Sequence, residues 1–338
     1  MRLAWLAVGM AAVTGAVGSE YDVPAGERLL AYLHSRGEAL GITAPRPIVG
    51  TYIDWREVDW AAPQNTVNAA VAGGFNLVIL AFLLTNGPTD MLQAWAGVDN
   101  ATRAATIAAA HAQGAVVMLT AGGSTETPLS GDPATYGHAV GAAVGALGLD
   151  GADFDIENLS PGFTYGDMTG AQVVDWLVAA SVAARGAMGP SALLTHAPQA
   201  PYFSGPWTGP CGGYSAVWTG AAAAGAHMSW FNAQFYNQGA GCYVSYDSLF
   251  VNSTAGGDGC TFPGTAVAQI VSSGMPLGAI VVGKPLTATD AGSGWVSGSD
   301  LGSWVARAGS DLAWSAGVFC WSWEVTQGPS WVRAVFPK

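Results

Sequence analysis

Three carboxylates at alternate positions give this chain its clearest chemical signal. The segment from 150 to 157 reads DGADFDIE, and its acids include Asp153, Asp155 and Glu157. Alternate residues of a β-strand face the same side, so these three side chains share one face and apolar residues form the other. Like charges buried together are costly, and at least one carboxyl is expected to hold a proton near neutral pH. A protonated carboxyl beside an ionised one is what cleavage of a glycosidic bond requires.

Two simpler explanations of the acidic segment fit less well. A calcium loop would place its acids around a glycine turn, not along an apolar strand. A solvated charged face would not alternate with Phe154 and Ile156 between two helical patterns. The pattern therefore favours a catalytic site.

The elements that must position this segment alternate along the chain. Eight short apolar runs predict strands, namely Ile48–Ile53, Asn76–Phe82, Ala115–Thr120, Gly151–Glu157, Ala192–His196, Met228–Tyr236, Ala279–Val282 and Val318–Trp323. Helical patterns lie between and after them, namely Val58–Ala72, Ala101–Gln113, Ala134–Leu147, Ala171–Met188, Tyr214–Ala224, Gly264–Ser273, Asp300–Ala308 and Ser330–Phe336. Strands apolar on both faces are typical of a parallel sheet.

This alternation predicts an α/β protein, a (β/α)8 TIM barrel in a single domain. A doubly wound open sheet is the alternative. In the barrel, the acidic segment is the fourth strand. Glu157 then lies at the C-terminal end of that strand, where barrel active sites are found.

The N-terminus has the pattern of a targeting segment. Arg2 is followed by the apolar run Leu3–Val13 and then by small residues, which predicts a secretory signal peptide over residues 1–18. The apolar run is shorter than the roughly 20 residues that a membrane span needs. We therefore expect a secreted, extracellular protein with no membrane partner. Residues 19–46 are predicted to be an N-terminal extension with one helix, over Ala25–Leu40, and residues 47–338 the barrel.

Composition and charge exclude several partner classes. The 338 residues carry 11 basic and 23 acidic side chains, a net charge of −12, which argues against a nucleic-acid partner. The five histidines show no metal-ligand spacing, so we expect no metal site and no cofactor. The protein is expected to be a monomer.

The four cysteines are too few to define a disulfide framework. Cys211, Cys242 and Cys260 lie in predicted loops, and a bridge between two of them is compatible with secretion. Their pairing stays open. Cys320 lies inside an apolar run and is expected to be a buried free thiol.

Beyond these patterns, the chain resembles a known family. The acidic segment resembles the DGxDxDxE signature of glycoside hydrolase family 18, the chitinases. Four further segments are similar to those of the family or of its plant class III, hevamine-like members: Thr120–Gly123 (SxGG, with Thr for Ser), Ala197–Gln199 (APQ), Gln234–Asn237 (QFYN) and Trp321. The matches span roughly residues 48–323, in the expected order. Ala200 departs from the hevamine-like pattern, where a cysteine follows APQ.

The resemblance implies a substrate and a set of roles. The substrate would be chitin or N-acetylglucosamine oligosaccharides, cleaved without a carboxylate nucleophile, because family 18 enzymes are an exception to the two-carboxylate scheme. Glu157 would be the general acid, Asp155 would orient the 2-acetamido group, and Asp153 would share a proton with Asp155. Tyr236 would donate its hydroxyl to the acetamido oxygen. The implied substrate-binding residues are Trp321, Gln234, Asn237, Tyr52, Gly122 and Gly123.

Other functions on the same barrel remain as alternatives. An endo-β-N-acetylglucosaminidase acting on N-glycan cores shares the strand motif, while the QFYN and APQ segments favour chitin. A non-catalytic chitin-binding or inhibitor protein is the second alternative. Such family members commonly lose the acid or its neighbours, and this chain keeps Asp153, Asp155, Glu157 and Tyr236. We therefore expect an enzyme, with endo-acting cleavage favoured.

Overall fold

The computed structural model describes residues 45–160, 162–203, 213–254 and 260–337. Parallel strands form its centre: β1 (Ile48–Ile53), β2 (Leu77–Leu84), β3 (Val116–Gly122), β4 (Gly151–Asp155), β5 (Leu193–His196), β6 (Trp230–Gln234), β7 (Ile280–Pro285) and β8 (Gly317–Trp321). Each strand pairs with the next, and β1 pairs with both β2 and β8. The sheet therefore closes into the predicted single-domain (β/α)8 barrel, and the open doubly wound alternative is excluded.

Helices surround the barrel: α1 (Pro63–Ala72), α2 (Asp90–Ala96), α3 (Asn100–His111), α4 (Pro133–Leu147), α5 (Gly170–Met188), α6 (Gly213–Ala223), α7 (Val267–Ser272), α8 (Gly298–Leu312) and α9 (Gly328–Val335). Four of them begin at a side chain that accepts a backbone N–H three residues on, namely Asp99, Asp132, Thr169 and Ser297. Such caps satisfy donors that the first helical turn leaves unpaired. The local sequence thus fixes where these helices start.

Several predicted boundaries are corrected by the structure. The first helix begins at Pro63 rather than Val58, because the Asp59 carboxylate accepts the N–H groups of Ala61 and Ala62 and forms a turn there. Helix α2 and the two-residue strand Gly87–Pro88, which pairs with the end of β2, were not predicted.

The predicted fourth and sixth strands, Gly151–Glu157 and Met228–Tyr236, were too long at their C-terminal ends. Strand β4 ends at Asp155, whose carbonyl accepts the N–H of Gly123. Strand β6 ends at Gln234. The residues that follow both strands leave the ladder at the same end of the barrel, which is where the site is built.

Glycines let the two helices that cover β4 from outside approach each other closely. On α4, a Cβ at Gly137 would lie 2.0 Å from the Ala180 carbonyl oxygen of α5, and one at Gly141 would lie 2.4 Å from that of Ala184. The apolar side of β4 packs against this pair, with the ring of Phe154 at 5.9 Å from that of Tyr136. Packing from outside therefore leaves the acids of β4 to face the interior.

The remaining expectations have mixed outcomes. Cys242 and Cys260 form a disulfide, which settles the pairing left open by the sequence. Cys320 is buried and free, as predicted. Cys211, the signal peptide and the helix over Ala25–Leu40 lie outside the described residues. In the part of the chain that the structure describes, no helix is both long and apolar enough to cross a membrane.

Candidate active site

Asp153 lies at the centre of the barrel, where its carboxylate is fully buried among neutral donors. Its Oδ2 accepts the hydroxyls of Tyr52 at 2.9 Å and Thr120 at 3.0 Å. Its Oδ1 accepts the hydroxyl of Thr195 at 2.6 Å and the amide of Asn232 at 3.2 Å. Burial raises the pKa of Asp153, and these four hydrogen bonds act against it. Four strands thus converge on one carboxylate and stabilise its charge.

Asp155, two residues along the same face, has different neighbours. Its Oδ1 accepts the amide of Gln234 at 2.8 Å, and its carboxyl shares a hydrogen bond with that of Glu157. Burial, then the negative charges of Glu157 and Asp153, raise the pKa of Asp155 well above its usual range. Asp155 is therefore one of the two carboxyls between which a proton of this cluster is shared.

Glu157 lies just beyond the end of β4 and is half-buried. Burial raises its pKa, and hydrogen bonds with Asp155, Gln234 and Gln199 lower it. Two carboxyl groups in hydrogen-bond contact share a proton more readily than they carry two charges. The pair therefore supplies a proton donor that stays protonated at higher pH than an ordinary glutamic acid.

Gly122 and Gly123 contact the end of β4 and do not line an open space. The N–H of Gly123 donates to the carbonyl of Asp155 at 2.7 Å. Both glycines have positive φ, 111° and 95°, and a Cβ on Gly122 would lie 2.2 Å from the Asp155 carbonyl oxygen. A Cβ on Gly123 would meet the ring of Phe82 at 2.9 Å. Their close approach to β4 explains the residue type, and a contact with substrate stays a prediction.

Tyr236 follows β6 and is buried beside the acids. Burial, then the charges of Asp155, Glu157 and Asp153, raise the pKa of its hydroxyl well above its usual range. The hydroxyl therefore remains a hydrogen-bond donor. Gly294 backs the residue closely, since a Cβ there would lie 2.7 Å from the Tyr236 Cα.

Asn237 is less clearly part of the site. Its side chain is exposed, and its Oδ1 accepts the N–H of Gly292 at 2.8 Å. Its backbone N–H donates to the Ser293 carbonyl at 3.2 Å. Asn237 thus ties the loop after β6 to the loop after β7, and its predicted sugar contact remains untested.

A partly open aromatic surface borders the acids. Trp321, half-buried at the end of β8, has its ring centroid 5.9 Å from those of both Tyr52 and Phe82. Phe319 lies below, 5.2 Å from the ring of Tyr52. Flat indole faces suit the apolar C–H face of a pyranose. Trp321 and Tyr52, two of the implied substrate-binding residues, therefore lie in one place, together with Phe82.

An ion-pair cluster closes the rim beside Trp321. The Arg56 guanidinium donates to Asp54 at 3.0 Å, to Asp290 at 2.7 Å and to the Ser322 hydroxyl at 2.6 Å. It joins the loops after β1, β7 and β8. Three tryptophans on the first and second of these loops are strongly exposed, namely Trp55, Trp60 and Trp295.

A buried lysine supports the loop that carries Tyr236. Lys284 on β7 is fully buried, and its Nζ donates to the carbonyls of Phe235 and Tyr243, both at 2.9 Å. Burial lowers the pKa of Lys284 to about 7. The chain has only one other lysine, Lys338.

The sequence reasoning missed several members of the site. The donors around Asp153 are one group, and Thr120, Thr195 and Asn232 could have been found as polar residues inside otherwise apolar strands. Gln199 was noticed in the APQ segment but received no role. Arg56 and Lys284 offered no local signal. Among the described residues, no group of three or more His, Cys, Asp or Glu side chains could hold a metal ion.

Comparison with known proteins gives a likeness in structure only. No protein-family model and no curated protein matches the chain. Among solved structures, a GH18 chitinase from Pseudoalteromonas aurantia has a TM-score of 0.61 and 20% identity, over 85% of this chain and 98% of that chain. A chitinase from Rhizomucor miehei has a TM-score of 0.55 and 16% identity, over 85% and 99%.

Inhibitor proteins share the fold as well. A xylanase and α-amylase inhibitor protein from Scadoxus multiflorus has a TM-score of 0.52 and 18% identity, over 86% of this chain and 98% of that chain. The structural neighbours are thus GH18 chitinases and inhibitor proteins of the same fold. The resemblance found in the sequence is confirmed at the level of the fold.

Proposed function

We propose that this protein is a secreted glycoside hydrolase that cleaves β-1,4-linked N-acetylglucosamine polymers with retention of configuration. One observation carries the proposal: the hydrogen-bonded carboxyl pair Asp155–Glu157 at the C-terminal end of β4, with Tyr236 buried beside it. A proton donor, a second carboxylate and a neutral hydroxyl are the groups that substrate-assisted cleavage needs. The neighbours described as chitinases support the substrate class.

Each group has a defined task in this reaction. Glu157 gives its proton to the glycosidic oxygen while the bond from that oxygen to the anomeric carbon breaks. The substrate's acetamido oxygen attacks the same carbon, and being within one molecule it has a high effective concentration. Asp155 accepts the acetamido N–H and stabilises the positive oxazolinium, and the Tyr236 hydroxyl holds the acetamido oxygen. Water then attacks the anomeric carbon and gives a proton to Glu157, while the bond from that carbon to the acetamido oxygen breaks and the acetamido group is restored.

The aromatic surface and the buried aspartate complete the arrangement. Trp321 would lie under the sugar whose bond is cleaved, with Tyr52 and Phe82 at its edge. Asp153, held by four neutral donors, keeps its charge and so favours the proton on Asp155 or Glu157. Gln234 fixes the orientation of Asp155.

The deciding experiment compares products from chitin hexamer and a high-mannose glycopeptide, with the wild type and Glu157→Gln. We expect cleavage of the hexamer, no cleavage of the glycopeptide, and a loss of about 10²–10⁴-fold in the variant, the usual worth of general acid catalysis. Glu324→Gln is the matched control, because the Glu324 carboxylate bonds Gln327 at the rim beyond β8. Cleavage of the glycopeptide alone would support the N-glycan alternative instead.

Cellopentaose separates the proposal from a general β-glucanase. A glucose polymer lacks the acetamido nucleophile, so it should bind weakly and not be cleaved. A site built for an amide also leaves buried polar groups unpaired when the amide is missing. Equal rates on chitopentaose and cellopentaose, or a sugar adduct on Asp155 seen by mass spectrometry, would eliminate the proposed mechanism.

A second candidate function has specific support in the inhibitor proteins of the same fold. It predicts no turnover of chitin hexamer by the wild type, and inhibition of another glycosidase. The presence of Glu157, Asp155 and Tyr236 in hydrogen-bond or charge contact favours the enzyme.

A further inference from the structure

The residue that follows Glu157 anchors the backbone to a neighbouring loop. Asn158 donates both hydrogens of its amide, to the carbonyl of Ser124 at 3.2 Å and to that of Glu126 at 2.7 Å. Both acceptors lie in the loop after β3. The Asn158 side chain is itself exposed, so it fills no core space.

Glu126, whose carbonyl accepts from Asn158, is itself held by a further loop. The Glu126 carboxylate accepts the backbone N–H of Thr85 and, at 3.1 Å, its hydroxyl. Thr85 lies in the loop after β2. Asn158 is thus connected through the loop after β3 to the loop after β2, and this connection holds its acceptors in place.

Glu157 needs such an anchor because it lies outside the sheet. The last ladder partners of β4 are Asp155 with Gly122 and Phe154 with His196. Beyond them the carbonyl of Glu157 is held by the hydroxyl of buried Tyr202 and by the N–H of Leu159 at 2.8 Å. The two neighbouring loops therefore grip the Glu157–Asn158 segment from opposite sides.

We propose that Asn158 is a positioning residue for Glu157, because its amide holds the peptide after Glu157 to the loop after β3 and keeps the Glu157 carboxyl against Asp155. The role of Glu157 as acid rests on the proposed function. The placement of its side chain by Asn158 does not. Catalytic groups have to be held within about 0.5 Å of their working geometry, so a loosened segment costs turnover before it costs binding.

The first test compares Asn158→Ala with Asn76→Ala on chitin hexamer. Asn76 is a matched control, because its amide also bonds backbone groups, Pro47 and Val49, at the far end of the barrel. We expect Asn158→Ala to lower kcat by about tenfold or more, with KM and melting temperature little changed. Asn76→Ala should lower the melting temperature and leave kcat unchanged. An Asn158→Ala variant with wild-type kcat would overturn the proposal.

Asn158→Asp gives a signature that general damage to the fold does not give. The ionised carboxylate has the shape of the amide but faces two carbonyl oxygens with no hydrogen to donate. Its kcat should be lower than that of Asn158→Ala at neutral pH. As the pH falls and the carboxyl is protonated, one donor returns, and kcat relative to wild type should rise. A flat ratio of the two activities across pH contradicts the proposal.

A measurement without substrate separates this inference from the proposed function. The Glu157 carboxyl can be titrated by 13C NMR, with its signal assigned as the one lost in Glu157→Gln. In Asn158→Ala, greater access of water should move the Glu157 pKa down toward its usual range. If the wild type does not cleave chitin but this shift is seen, the function fails and the inference stands. If the wild type cleaves chitin and both kcat and the titration are unchanged in Asn158→Ala, the inference fails and the function stands.

Discussion

The hydroxyl of Tyr52 on β1 donates to Oδ2 of Asp153 on β4 at 2.9 Å, across the interior of the barrel. This contact joins strands that are not neighbours in the sheet. With Thr120, Thr195 and Asn232 on the other sides, Asp153 receives only neutral donors. Burial raises the pKa of Asp153, but these donors favour its charged form, so we expect them to confine the proton of the cluster to Asp155 and Glu157, the two carboxyls that face the rim.

The pH dependence of hydrolysis should follow this confinement. Because burial raises the pKa of Glu157, its acid form persists to higher pH than that of an ordinary glutamic acid. Activity should thus be lost as pH rises through this raised pKa. The measurement is kcat/KM for chitopentaose between pH 3 and 10, in buffers of constant ionic strength, in steps of about half a pH unit. An alkaline limb at or below the usual glutamate range, about 4.3, contradicts it.

Products should appear first as the β-anomer. The acetamido oxygen occupies the face opposite the leaving group, so water returns to the face that the leaving group left. Proton NMR of fresh product from chitin hexamer records the anomer before mutarotation. An initial α-anomer is incompatible with this mechanism.

Replacing Tyr236 by Phe should lower kcat more than it raises KM. The substitution removes the hydroxyl and with it a hydrogen bond to the acetamido oxygen, which becomes part of a charged intermediate. Hydrogen bonds to charged groups are worth about 1.5–3 kcal/mol, which corresponds to a loss of roughly 10–150-fold in rate. Tyr243→Phe is the control, since its hydroxyl bonds Thr265 in the core, and it should affect stability alone. Steady-state kinetics and thermal melts of both variants decide between these outcomes.

Replacement by alanine should have different effects at two glycines of similar φ. Gly122, at φ 111°, would place a Cβ 2.2 Å from the carbonyl of Asp155, whereas Gly87, at φ 123°, has no atom within 4 Å. Gly87→Ala therefore carries only the cost of the left-handed backbone, about 1–3 kcal/mol. Gly122→Ala should also displace the end of β4 and abolish hydrolysis. Denaturant unfolding and activity of the two variants, taken together, test this; equal effects would show that β4 does not depend on the close approach.

Because of Lys284, the free energy of unfolding should increase as pH rises from about 7 towards 10.5. Its pKa is lowered to about 7 in the fold from 10.5 when unfolded, so the unfolded chain binds more protons in that window and folding gains as pH rises. Lys284→Met keeps the stem and should remove this part of the slope. The chain has only two lysines, so NMR of the lysine side chains can also follow Lys284 directly, with Lys338 as the internal reference. A Lys284 signal that titrates near 10.5 would contradict the prediction.

The barrel and its acids were predictable because both depend on local periodicity. Alternation along β4 put Asp153 and Asp155 on one face, and the structure places both inside. Continuous apolar runs located all eight strands to within a few residues. The ends of several strands were predicted wrongly, as for β4, where the N–H of Gly123 bonds the carbonyl of Asp155, the last residue of the strand.

The loops were not predictable, for a physical reason. The contacts of Arg56 with Asp290, and of Asn158 with Glu126, join residues far apart in sequence whose meeting depends on the path of each loop. Burial of Lys284 likewise depends on the loop that folds over it. The local sequence around these side chains does not reveal their distant partners.

The hydrogen bonds between loops that are made by Arg56, Asn237, Asn158, Glu126 and Tyr202 fall into two sets. One set, through Arg56 and Asn237, joins the loops after β6, β7, β8 and β1. The other, through Asn158, Glu126 and Tyr202, joins those after β2, β3, β4 and β5. A chimera with a homologous barrel should therefore keep both sets intact when its crossovers lie between β1 and β2 and between β5 and β6. Grafting a single loop would instead separate a side chain from its partner, as with Arg56 transplanted without Asp290.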